Sequence, residues 1–111
     1  MGEGTVSFQD FMKLDLRIGR IAKVEQVPKA MSLFRMEVDL GGGVTKQSLA
    51  GLVGHYSIDE LVGRKIVFLA NLEPKRMMGY VSEGMLLAAE FDNKVVLVTP
   101  DRDVPEGAKV R

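Results

Sequence analysis

Leu33 to Leu40 is the stretch that most constrains the fold, because its apolar residues recur every second position. Phe34, Met36, Val38 and Leu40 alternate with Arg35, Glu37 and Asp39. That period belongs to a half-buried strand and not to a helix. Gly41-Gly42-Gly43 follows at once and reads as a hairpin turn, with Val44 to Gly51 returning as the partner strand. A chain that commits to a one-sided antiparallel hairpin must cover its apolar face with further strands or a helix.

The remaining segments fit that need. Asp15 to Val27 reads as a long strand whose alternation slips at Gly19, which predicts a bulge or sharp bend there. A long bent first strand can serve two sheets of a small barrel. Arg64 to Leu72 is the most apolar strand, and Gly84 to Phe91 with Lys94 to Thr99 form a hairpin about Asp92-Asn93. Glu73 to Ser82 reads as a loop, and the turn-rich tail PDRDVPEGAKV has room for one short strand. Two short helices are expected. One spans Thr5 to Leu14, capped at Ser7, with Phe8, Phe11, Met12 and Leu14 near one face. The other spans Ser57 to Leu61, with Asp59 and Glu60 in its first turn. The expectation is a mainly β, five-stranded OB-fold Greek-key barrel with a short N-terminal helix and a short helix between strands three and four. An SH3-like barrel is the structural runner-up.

Length and composition bound the function. With 111 residues, the chain is one domain, 1–111. It has no cysteine, so thiol chemistry, disulfides and thiolate metal sites are excluded. His55 is the single histidine, more naturally a helix-start polar group than a ligand, so no metal site is expected. No carboxylate pair stands out as an acid/base couple; neither an enzyme nor a cofactor is expected. No secretory leader or membrane-length apolar run is present, and a cytoplasmic location is expected. Net charge is zero, with 15 Lys+Arg against 15 Asp+Glu. A nonspecific duplex binder is usually basic, because phosphate neutralisation supplies most of its affinity. An RNA binder of this composition must gather its cations on one face.

Such a face is offered by Lys75-Arg76-Met77-Met78-Gly79, entered through Pro74 and left through a glycine. Two adjacent cations between apolar strands can reach a phosphate or a splayed base; the bland alternative is a solvated turn guarding a strand edge. Arg35 and Lys46 fall on the polar faces of the second and third strands, where OB-folds bind ligands, and are candidate phosphate partners or plain exposed charges. Aromatic residues are few, and most Phe are expected in the core. Tyr80 is the credible stacking platform, with Phe34 a weaker second. Asn71 either bonds RNA or holds the loop.

DLRIG at Asp15 to Gly19, PKAMSL from Pro28, Ala50-Gly51 and NLEPKRMMGYVSEGMLLAA from Asn71 together resemble the tRNA-binding domain family. The likeness runs from Phe8 to about Val110, and the last segment is its specific part. Three positions depart from the family pattern: Met31 stands for an Asp, Glu73 for a Lys and Ala50 for a Ser. The resemblance implies RNA recognition by Ser82 and Met85 and a shape-reading, non-catalytic tRNA module. It implies a homodimer built through the N-terminal helix and C-terminal tail. The module is expected to be free-standing or the C-terminal or beta component of a methionyl-tRNA synthetase. Val44 to Ala50 also resembles the CsaA-type relatives, small homodimers proposed as export chaperones. A peptide-binding chaperone, and a docking domain that dimerises a synthetase, are therefore the alternatives.

Overall fold

The computed structural model describes residues 4–111. Its main sheet is antiparallel. It holds β1 (Leu16–Val27), β2 (Ala30–Asp39), β3 (Thr45–Ala50), β4 (Lys65–Leu69) and β7 (Met85–Leu86), in the order β3-β2-β1-β4-β7. Two small hairpins stand on it: β5 (Lys75–Met77) with β6 (Tyr80–Ser82), and β8 (Ala88–Phe91) with β9 (Lys94–Leu97). Helices α1 (Phe8–Phe11) and α2 (Ile58–Leu61) are single turns.

β1 is long because it has two jobs. Leu16 to Arg20 pairs with β4, and Arg20 to Val27 pairs with β2, so the strand changes partner at Arg20. The register slips between Ile21 and Lys23, later than the expected bend at Gly19. Gly19 serves a different purpose: a Cβ there would lie 2.5 Å from Val38 Cγ1, so only glycine lets β1 and β2 cross this closely.

β4 explains its own apolar run. Ile66, Phe68 and Ala70 enter one cluster with Ile21, Met36, Val38 and Leu61, whereas Val67 and Leu69 enter a second with Leu16 and Ile18. The second cluster is roofed by Phe11, Leu87, Val104, Ala108 and Val110. The tail is held there by ladder-like bonds: Ile18 N donates to Ala108 O at 2.9 Å and Val110 N to Leu16 O at 2.9 Å. An isolated bridge joins Arg17 and Lys109, so the tail does act as a short extra strand.

The sheet is OB-like but does not close into a barrel. Between the two edges, β3 and β7, one backbone bond runs from Glu83 N to Gln47 O at 2.8 Å. Side chains complete the seam. Ser48 Oγ donates to Gly84 O at 3.0 Å, and Gln47 N donates to Glu83 Oε1 at 2.8 Å.

Both helix caps form as the sequence predicts. Ser7 Oγ accepts from Asp10 N, and Ser57 and Glu60 make a reciprocal capping box. The helical apolar face does not. Phe8 is 74% exposed, and Met12 and Leu14 are also exposed; only Phe11 packs inward. Phe91 is an exception to the expectation that most phenylalanines are core, and is likewise 74% exposed. No helix among the described residues is long and apolar enough to cross a membrane.

Candidate nucleic-acid interface

The segment expected as a loop, Glu73 to Ser82, is mostly the β5–β6 hairpin. Lys75 pairs with Ser82, Arg76 with Val81 and Met77 with Tyr80. The two-residue turn is Met78-Gly79, with φ of 52° and 85°. Positive φ at both positions is the geometry that matches strand twist, but it strains a non-glycine residue such as Met78.

The hairpin is pinned to β3 from below. Gln47 Nε2 donates to Val81 O at 2.9 Å. Ser82 is buried, and its hydroxyl donates to Gly84 O at 3.2 Å and accepts from Leu49 N at 3.3 Å. Gly84 lies against the core: a Cβ there would sit 2.5 Å from two Phe68 ring atoms and 2.6 Å from Leu69 O. The next residue, Met85, turns outward and is exposed. It borders two clefts. One of about 150 Å³ includes Leu49, Leu72, Lys75 and Met77. The other, of about 330 Å³, includes Leu52, Leu86 and Leu97.

The eight residues named from the sequence separate into free and engaged groups. Lys75 and Arg76 are exposed on β5 and have no acidic partner among the described residues. Arg35 is engaged: Nε donates to Glu25 at 2.9 Å, Nη1 donates to Gln47 Oε1 at 2.8 Å, and Glu37 lies within 3.4 Å. Burial opposes its charge, but the hydrogen bonds to Glu25 and Glu37 outweigh this and raise its pKa. The same guanidinium lies 5.8 Å from the centroid of the half-buried Tyr80 ring. Lys46 Nζ donates to Ala70 O at 2.7 Å. Asn71 uses both ends of its amide, accepting from Asp15 N and donating to Lys13 O. Phe34 is a core residue, 5% exposed, and is unavailable for stacking.

This pattern resolves the zero net charge. Lys13, Arg17, Arg20, Arg35, Lys65, Arg102 and Lys109 are ion-paired. Lys29, Lys75 and Arg76 carry no such partner among the described residues, nor do Lys23, Lys94 and Arg111. Lys29 escaped the sequence reading because it looks like an ordinary turn residue. It sits in the β1–β2 turn, and β1 and β2 pair up to Val27 and Ala30 on either side of it. It lines one cleft with Met78 and Tyr80 of the hairpin.

An open OB-like sheet carrying a basic, exposed hairpin beside its edge is the class of fold and surface that RNA-binding modules use. The model of a putative tRNA binding domain matches residues 16–109, and the chain belongs to that family. Two curated relatives are methionine–tRNA ligases. That of Thermococcus onnurineus is 50% identical over 106 residues, covering 96% of this chain and 14% of that protein. That of Parabacteroides distasonis is 43% identical, covering 96% and 16%. The chain therefore spans about one-seventh of the length of these relatives. Among solved structures, a MetRS-related protein from Pyrococcus horikoshii superposes with a TM-score of 0.88 at 31% identity, covering 96% and 98% of the two chains. The chaperone CsaA of Bacillus anthracis superposes at 0.87 with 36% identity, covering 97% and 100%.

Proposed function

We propose that this domain is a non-catalytic tRNA-binding module that works free-standing or as a component of a methionyl-tRNA synthetase. The observation that carries it is the Lys75–Arg76 pair, without an acidic partner among the described residues, on an exposed hairpin in a family of putative tRNA binding domains. The hairpin offers phosphate contacts and Met85 offers an apolar face to a base. Asn71, Lys46, Ser82 and Arg35 act one step back: their polar atoms hold the hairpin and the adjoining strands. Tyr80 stands between, packed beneath Arg35 yet partly open to a ligand.

The partner surface for a second copy is the N-terminal arm, where Val6 and Phe8 are about three-quarters exposed, together with the tail beside it. A dimer pairs two weak RNA surfaces into one stronger one. Phe8→Ser with Met12→Ser shifts the protein toward monomer in sedimentation; an unchanged mass distribution rejects that arm as the contact.

The function test is a gel shift with bulk tRNA. Binding that weakens with Lys75→Ala plus Arg76→Ala supports the reading, and a folded protein that shifts no tRNA at low salt contradicts it. A second reading, peptide binding, is favoured by the CsaA likeness and by the apolar cleft along Leu49, Leu52, Met85, Leu86 and Leu97. Capture on a peptide array without tRNA binding would select it.

A further inference from the structure

A cleft of about 260 Å³ lies between the β1–β2 turn and the tip of the β5–β6 hairpin, lined by Val27, Pro28, Lys29, Met78 and Tyr80. It is smaller than the roughly 300 Å³ at which pockets for drug-sized ligands begin, so it suits one small planar group. Its walls are a proline ring, a phenol ring and a thioether, surfaces that lie well against a flat π-system.

Met78 is the telling residue. It occupies a turn position at φ 52°, where Asn or Gly is the low-energy choice, and its apolar side chain is 50% exposed. Neither the turn nor the core gains from a methionine there. Strain of this kind, held in an exposed position, points to use by a ligand. Lys29 supplies charge at the same cleft without an acidic partner among the described residues, and Lys75 and Arg76 lie on the same hairpin as Met78.

We propose that this cleft takes one unstacked nucleobase of a bound RNA, laid against Pro28, Met78 and Tyr80, with the Lys29 ammonium on an adjoining phosphate. The assignment rests on the tRNA-binding reading above and names where the hairpin reads an unpaired nucleotide. Charge chooses this occupant over an apolar peptide segment, because the one charged side chain lining the cleft, Lys29, is a cation.

Met78→Asn tests it cleanly, since Asn suits the turn and should leave the fold at least as stable. Titrations would use bulk tRNA with wild type, Met78→Asn, Lys29→Ala and the Lys75→Ala/Arg76→Ala variant across a salt series. Met78→Asn is expected to weaken tRNA binding roughly fivefold or more without changing the salt slope. Lys29→Ala is expected to lower that slope by about one. Met78→Asn protein that is folded and binds tRNA within about twofold of wild type overturns the proposal. If wild type binds and only the Lys75/Arg76 variant fails, the base cleft is wrong and the tRNA reading stands. If wild type itself does not bind, the tRNA reading falls first. Loss of peptide binding with intact tRNA binding in Met78→Asn assigns the cleft to a peptide and overturns the base.

Discussion

Asn71 bridges to Asp15 by accepting its backbone amide at 2.8 Å through Oδ1, while Nδ2 donates to Lys13 O at 2.7 Å. One side chain thus ties the end of the N-terminal arm to the root of the hairpin. Ala70 N donates to Asp15 O at 2.8 Å and doubles the tie. Asn71→Ala removes two of these bonds, and exposed hydrogen bonds contribute about 0.5 kcal/mol each, about 1 kcal/mol together. A fall in Tm of roughly 4–8 °C is expected in a thermal melt. A melt superposable on wild type would show that the bridge carries no stability.

Asp15 is also the electrostatic anchor of the tail. Its Oδ1 accepts from Arg17 Nε and from Lys109 Nζ, both at 2.9 Å. The hydrogen bond from Arg17, then that from Lys109, lowers its pKa from 3.8 to about 2. A carboxylate whose folded pKa is depressed stabilises the fold above its unfolded pKa, and that contribution is lost as pH falls through the folded value. Stability should therefore decline between about pH 4 and pH 2, by on the order of 1–2 kcal/mol from this group. Asp15→Asn should be less stable at pH 7 and show a shallower acid decline in urea titrations at stepped pH. An acid profile identical to wild type would remove Asp15 from the account.

Gly84 separates fold from function within the hairpin region. Gly84→Ala forces a methyl into the Phe68 ring and Leu69 O, and overpacking of this kind costs about 1–3 kcal/mol. Denaturant unfolding should show that loss. An undiminished midpoint would mean that β7 can move away from β4.

Glu73 sets a ceiling on the basic surface, since it borders the same small cleft as Lys75. Glu73→Lys should tighten tRNA binding several-fold at low salt and steepen its salt dependence by about one to two. Equal affinity in filter binding would place residue 73 outside the RNA path.

The features legible in the sequence were those with a local physical signature. β2 showed through strict alternation, α2 through its Ser57 cap and the acidic residues of its first turn, and β4 through an apolar run buried on both faces. Lys75 and Arg76 drew notice as adjacent cations, but on their own they read equally as a solvated turn, and only the family pattern around them pointed to RNA. The hairpin that carries them was not legible: three-residue strands give no periodicity, and Met-Gly is not a turn pair a reader looks for. The engaged state of Arg35, Lys46 and Ser82 was also hidden. Lys46 and Ser82 depend on partners far along the chain, Ala70 and Leu49, and Arg35 on Glu25 and Gln47 of the two neighbouring strands. Phe8 and Phe91 misled for the opposite reason: both sit in apolar patterns, yet both side chains project from short single-turn or hairpin ends that the core does not reach.

The central claim is that Lys75 and Arg76 on β5 meet tRNA phosphates. The most direct measurement is the slope of log Kd against log salt for bulk tRNA, compared between wild type and Lys75→Ala/Arg76→Ala. Each lost phosphate contact should flatten the slope by roughly 0.7–0.9, so the double variant should be flatter by about 1.5 and bind more weakly at low salt. A folded double variant with the wild-type slope and affinity would contradict the account.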